Sequence, residues 1–109
     1  MRITIIGSTG LIPQMYEHKA EMEKRGHKVM MPTFDNQAET EKELLAANKS
    51  KIEWAEQVHL LWDGRSPGTI LDIGITIGLA KPLAIIYLEK KSIPEIVKQY
   101  AELWENETF

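Results

Sequence analysis

Short apolar runs alternate with stretches of helical spacing along the whole chain. Residues 3–6 (ITII) are β-branched throughout and stop at Gly7-Ser8-Thr9-Gly10, which reads as a buried strand running into a small-residue loop. Residues 13–25 are rich in helix formers and end at Gly26, a C-terminal capping signal. Residues 27–31 (HKVMM) predict a second strand, stopped by Pro32, and residues 33–37 a polar loop. Residues 38–58 read as a helix with Leu45, Ile52 and Ala55 toward one face. Residues 59–62 (HLLW) predict a third strand ending at Asp63-Gly64. Residues 69–80 are nearly all apolar and predict a helix buried on most sides, and residues 82–88 a fourth strand. Ile93, Ile96, Val97, Tyr100, Leu103 and Trp104 recur at spacings of three and four, the pattern of an amphipathic last helix. Residues 105–109 read as a loose tail unless Phe109 docks on a partner subunit.

The order βαβαβαβα implies a parallel sheet covered by helices on both faces, and continuous apolar strands fit that cover. The predicted fold is a small flavodoxin-like or Rossmann-like three-layer α/β sandwich with four parallel strands ordered 2-1-3-4. The 109 residues fit one domain, without an internal repeat, linker or low-complexity tract. A net charge of -3 without a basic run argues against a nucleic-acid polymer as partner. The absence of Cys excludes disulfides and thiolate metal sites, and is compatible with a cytoplasmic location. No signal-peptide pattern and no apolar run of about 20 residues suggests secretion or a membrane, so a soluble intracellular protein is expected.

In open parallel sheets ligands bind beyond the carboxyl ends of the strands. That rule selects three loops: residues 7–10, 33–36 and 63–69. Gly7, Ser8, Thr9 and Gly10 offer close backbone approach and hydroxyl donors, which suits a phosphate; a plain strand-to-helix turn explains them as well. The dinucleotide fingerprint GxGxxG and a P-loop Lys are both missing.

The segment GRSPGTILDIG sets one carboxylate, Asp72, among Ile70, Leu71, Ile73, Ile75 and Ile77. Ser66 can cap a helix whose first residue is Pro67; alternatively Thr69 is the cap. With Thr69 as cap, Thr69-x-x-Asp72 is a shortened capping box and Asp72 answers the first-turn amides. The functional alternative uses Asp72, held near the crevice on a rigid helix, as a nucleophile or transition-state anion. Glycosidases use carboxylates in that way against an oxocarbenium-like sugar.

Gly68-Thr69-x-x-Asp72-Ile73-Gly74, followed by Ala80-Lys81-Pro82 and a strand, resembles the nucleoside 2-deoxyribosyltransferase family. Gly7-Ser8 after the first strand resembles the related 2'-deoxynucleoside 5'-phosphate N-glycosidases, and Gly26-His27-Lys28-Val29 with Pro32 fits the family's second strand. The resemblance spans most of residues 1–88. It implies that Asp72 takes the place of the family's catalytic Glu, which attacks C1' of the sugar. It implies that Ser66 and Ser8 hold a 5'-phosphate, where transferases acting on free nucleosides carry an Asp at the position of Ser66. Two positions depart from the pattern: Asp72 is one methylene shorter than Glu, and Asn48 stands where an assisting Asp is usual. Asp35 or Asp63, both at strand ends, could substitute. Trp62-Asp63-Gly64-x-Ser66-x-Gly68-Thr69 also resembles the SLOG nucleotide-binding domains, some of which sense nucleotides without turnover. Both resemblances imply a small-molecule nucleotide partner. No cofactor is expected, and a buried third helix with an apolar last helix leaves surface to cover, which predicts a homodimer or higher homo-oligomer.

His18, His27 and His59 have no metal-ligand spacing. Trp62 could stack on a base or pack the core, and Arg65 could meet phosphate or solvent. Met15 and Tyr16 could reach the crevice or serve as core or dimer contacts.

Overall fold

β-branched and apolar runs form strands here because both faces of the backbone can be covered. The computed structural model describes residues 1–34, 37, 40–89 and 100–104. The chain runs β1 (Arg2–Gly7), α1 (Ile12–Lys24), β2 (Lys28–Met30), α2 (Glu41–Trp54), β3 (Gln57–Trp62), α3 (Pro67–Gly78) and β4 (Leu83–Leu88). A single 3-10 turn, Thr9–Leu11, separates β1 from α1. The strands pair in parallel in the order β2-β1-β3-β4, the predicted flavodoxin-like or Rossmann-like architecture. No helix among the described residues is long and apolar enough to cross a membrane.

All six residues of β3 are buried. On one face of the sheet Ile5 and Leu61 pack with Leu11 and Met15 from the α1 side. On the other, Val58, Leu60 and Trp62 pack with Ile52 of α2 and Ile73 of α3. Trp62 is therefore a core residue, and Met15 is fully buried whereas Tyr16 is exposed.

Two expectations about helices change. The helix expected over residues 38–58 begins at Glu41, where the Thr40 hydroxyl accepts from the Glu43 amide (3.1 Å), and ends at Trp54. Gln57 and Val58 pair instead with Ile3 and Thr4 of β1. The Lys81 ammonium closes that end, donating to the carbonyls of Glu53 (2.9 Å) and Ala55 (2.8 Å). The second change concerns α3, expected to be buried on most sides. Its Ile70 and Leu71 are 52% and 54% exposed, while its buried residues are Thr69, Asp72, Ile73 and Thr76. Of the last helix, residues 100–102 are helical, and the Tyr100 hydroxyl donates to the Lys81 carbonyl (2.7 Å). Ile93, Ile96, Val97 and Phe109 lie outside the described residues.

α3 ends in a Schellman motif: the Ala80 amide donates to Ile77 and the Lys81 amide to Thr76, with Ala80 in the left-handed region (φ 53°). This turn delivers Lys81 to the end of α2, so one lysine ties the exits of two helices. Gly7 has an equally local reason. A Cβ there would lie 1.9 Å from the Leu61 carbonyl oxygen, so only glycine lets β1 approach β3 at that point.

β3 also buries a histidine. His59 Nδ1 lies 2.7 Å from His18 Nε2 of α1, and His59 Nε2 lies 2.8 Å from Gln57 Oε1. With both rings neutral, His18 donates to His59 and His59 donates to Gln57. Burial, then the charges of His18 and His27, lower the His59 pKa to about 3, and burial also lowers His18. Below pH 6.5 an unfolded His59 takes up a proton that the folded one refuses, so stability falls as pH drops from 6.5 toward 3. Denaturant midpoints measured at pH 7 and pH 5 should show this fall. A His18→Gln/His59→Gln double variant should show a smaller pH difference than the parent, whatever its absolute stability.

Candidate functional site

β1 and β3 are neighbours, yet the chain leaves β1 toward β2 on one side and continues from β3 toward β4 on the other. The crevice beyond their carboxyl ends is thus the switch point where ligands bind in such sheets. Ser8 follows β1 and Asp63 follows β3, and the two loops meet there. The Asp63 amide donates to Ser8 Oγ (3.0 Å), and the Ser8 amide donates to the Leu61 carbonyl (3.1 Å). Ser8 is buried, whereas Thr9 and Gly10 are exposed.

Asp63 organises the loop that leads into α3. Its Oδ1 accepts from the Arg65 amide (2.8 Å), the Ser66 amide (3.2 Å) and the Ser66 hydroxyl (3.2 Å). The Arg65 amide is the largest influence and lowers this carboxyl; desolvation comes next and opposes it, and the hydroxyl of Ser8 with the amide and hydroxyl of Ser66 tips the balance below the usual range. Asp63 is therefore ionised at neutral pH and has no proton to donate.

Ser66 is the N-cap of α3 and Pro67 its first residue, one of the two arrangements the sequence allows. Thr69 is then the third helical residue and Asp72 the sixth. The capping box between Thr69 and Asp72 does not form, because the Thr69 amide donates to the Ser66 carbonyl (3.1 Å). The Gly68 amide is left without an acceptor among the described residues, at the end of α3 that carries positive potential. Neither Gly10 nor Gly68 has an atom within 4 Å of where a Cβ would stand, so the chain's own packing does not require glycine at either.

Asp72 is 6% exposed, and no hydrogen bond or ion pair reaches its carboxylate among the described residues. At its main chain, the Asp72 carbonyl accepts from the Thr76 hydroxyl (2.8 Å). Burial alone pushes the Asp72 carboxyl up to about 7. Thr69, 3% exposed, sits one turn earlier on the same inward face, and its hydroxyl has no partner among the described residues either. Unpartnered buried polar groups are costly, so a side chain kept in this state points to a role other than holding the helix together.

The other sequence candidates fall elsewhere. Asn48 is buried, but its amide is spent on one partner: Oδ1 accepts from the Thr33 amide (2.7 Å) and Nδ2 donates to the Thr33 carbonyl (3.1 Å). That pair pins the loop after β2 to α2. Asp35 lies outside the described residues. Arg65 is exposed. No group of three or more metal-ligating side chains occurs among the described residues.

A search of solved structures finds the CMP N-glycosidase BcmB of Clostridium botulinum, with a TM-score of 0.69 over 97% of this chain and 84% of that one. The chain has a nucleotide N-glycosidase-like fold. Identity between the two is 16%, a level at which the shared property is the fold. No family model matches the sequence, and no curated protein does.

The hub role of Asp63 and the inward polar stripe were missed in the sequence, although both leave a signal. Asp63-x-x-Ser66 has the spacing of a side-chain-capped turn. Thr69, Asp72 and Thr76 recur at three and four, which is one face of a helix.

If Asp72 is retained for chemistry rather than for stability, Asp72→Asn should raise the unfolding free energy at pH 8 by roughly 1–3 kcal/mol. The gain should shrink toward pH 5, where the folded parent is already protonated. The sign follows from the raised folded pKa: the stability present while the buried carboxyl is neutral is lost as pH rises through about 7 and the carboxyl ionises. A stabilising hydrogen-bond role predicts the opposite, a loss at both pH values.

Proposed function

We propose that this protein cleaves or transfers the N-glycosidic bond of a nucleoside or deoxynucleoside 5'-monophosphate. The observation that carries the reading is the buried, unpartnered carboxylate of Asp72, on the helix whose N-terminus opens at the Ser8–Asp63–Ser66 crevice. Asp72 follows Ser66 by six positions, about 9 Å of axial rise, which is on the scale of a sugar phosphate. In this reading the hydroxyls of Ser8 and Ser66 and the Gly68 amide hold the phosphate, with Thr9, Gly10 and Thr69 lining the approach. Gly7 serves by letting β1 close on β3.

Asp72 acts as the anion at C1'. Its carboxylate oxygen bonds to C1' as the bond from C1' to the base nitrogen breaks, and the electron pair leaves with the base. Water or a second base then displaces Asp72 from C1'. Neither Asn48, tied to Thr33, nor Asp63, held ionised, supplies a proton to the departing base. The fold shared with an enzyme named a CMP N-glycosidase is in keeping with this substrate class.

A second reading is a nucleotide sensor with the same pocket and no turnover. The tied Asn48 favours it, since an assisting carboxylate at that position is replaced by an amide already fully engaged. Incubation with a panel of ribo- and deoxyribonucleoside monophosphates, followed by chromatography for free base, separates the two. The enzyme reading expects base release that Asp72→Ala reduces at least 100-fold, and a rate that rises with pH through about 7 as Asp72 ionises. Thermal stabilisation by a monophosphate without release supports the sensor.

The same proposal includes a homodimer. Ile70 and Leu71 expose their side chains on α3, and nothing stands within 4 Å of a Cβ at Gly74 or Gly78, so a neighbouring surface can approach closely. Sedimentation should give a dimer mass, and Ile70→Lys/Leu71→Lys should shift it toward monomer. A monomeric parent at micromolar concentration would sink this part of the proposal.

A further inference from the structure

The two serine loops follow different strands, and Asp63 joins them across 55 positions of sequence. Asp63 gives its main-chain amide to Ser8 Oγ (3.0 Å) and takes the Ser66 hydroxyl (3.2 Å) and the amides of Arg65 and Ser66 on its own Oδ1. We infer that Asp63 is the positioning residue of the phosphate cradle, fixing the Ser8 and Ser66 hydroxyls relative to each other so that they meet a ligand as one unit. The inference rests on the proposed function for the identity of the ligand, but the tie between the loops stands on the geometry alone.

The chemistry follows from counting protons. A serine hydroxyl has one proton to give. In the ligand-free chain the Ser66 proton is directed at Asp63 Oδ1, not into the crevice. A phosphate that binds there takes this proton over by rotation of the hydroxyl. The Asp63 carboxylate keeps the two amides of Arg65 and Ser66, so the turn holds its shape while the hydroxyl changes partner. Asp63 thus acts through the serines and need not touch the ligand, which its own negative charge disfavours. An Asn at this position keeps an oxygen for the same amides; an Ala keeps none.

The test has a binding arm and a ligand-free arm. In the first, Asp63→Ala and Asp63→Asn are compared with the parent on CMP, dCMP, and the phosphate-free nucleosides cytidine and deoxycytidine. The expected result for Asp63→Ala is a KM, or a Kd by calorimetry, raised at least tenfold for the monophosphates. Its kcat should stay within about threefold, and affinity for the nucleosides should not change. Asp63→Asn should recover most of the loss. A fall in kcat at constant KM, or an equal loss for nucleosides and monophosphates, overturns the inference.

The ligand-free arm measures amide hydrogen exchange in Ser8→Ala. If the loops form one unit, removing the Ser8 hydroxyl speeds exchange at Asp63 and also at Arg65 and Ser66, which it does not touch. Faster exchange at Asp63 alone, with Arg65 and Ser66 unchanged, overturns the tie. A parent that neither binds nor cleaves any monophosphate defeats the proposed function, while the exchange result still decides whether Asp63 couples the loops.

Discussion

α3 is turned so that three of its polar residues face inward beside Ile73, while two of its bulky apolar ones, Ile70 and Leu71, face out. Thr69, Asp72 and Thr76 are buried, and Ile70 and Leu71 are more than half exposed. For a helix of this composition that orientation runs against the hydrophobic effect, since leaving two large aliphatic side chains about half exposed forgoes roughly 1 kcal/mol each. Burial of an unpartnered carboxyl adds a further cost. Something else must fix the helix, and Ile73 does part of it by packing on Leu60, Trp62 and Leu83. The rest comes from the ends. Ser66 and Pro67 start the helix against the Asp63 turn, and the Schellman turn at Ala80 stops it where Lys81 can clamp the last carbonyls of α2.

This division of labour separates the parts that hold the fold from the parts that are free to react. Gly7, Asn48, Lys51 and Lys81 each have defined partners. Lys51 donates to the Met31 carbonyl and the Thr33 hydroxyl, both at 2.8 Å, so that together with Asn48 it fastens the loop after β2 to α2. Such closed networks rigidify a scaffold. The side chains of Asp72 and Thr69 have no such partners among the described residues. Among the described residues the side-chain atoms shut from solvent without a partner are the indole nitrogens of Trp62 and Trp104; the Asp72 carboxylate and Thr69 hydroxyl, unpartnered on one helix face, mark that face as the place where another molecule can supply contacts.

The sheet order and the positions of the described strands were legible because parallel strands buried on both faces leave continuous β-branched runs, and the glycines and prolines between them punctuate clearly. Gly26 sits at the left-handed position the sequence assigns to a helix end (φ 91°). The C-terminal limit of α2 was not legible, since Gln57 and Val58 continue a helical pattern and only their pairing with β1 claims them for the sheet. The orientation of α3 was hidden for a related reason. Ile70, Leu71, Ile73, Ile75 and Ile77 surround the helix, so hydropathy defines no single apolar face, and the inward stripe is visible only through the polar residues. Ser8 and Ser66 were legible as small hydroxyl residues at strand ends. Their connection through Asp63 depends on which strands are adjacent, a property of the folded sheet rather than of either loop.

Two carboxylates at the same end of the sheet end up in opposite states. Asp63 is surrounded by donors from its own turn and stays ionised; Asp72 is surrounded by the core and is pushed up to about 7. Environments that drive two acids apart in this way assign them different tasks. Asp63 has its charge already answered within the protein, so it can shape a site but gains little by meeting a substrate. Among the described residues no group answers the charge of Asp72, so any positive charge that develops beside it, such as that on a sugar carbon losing its base, lowers the energy of the ionised form. The interaction is strongest at the moment the charge appears, which is the condition for lowering a barrier rather than merely binding a ligand.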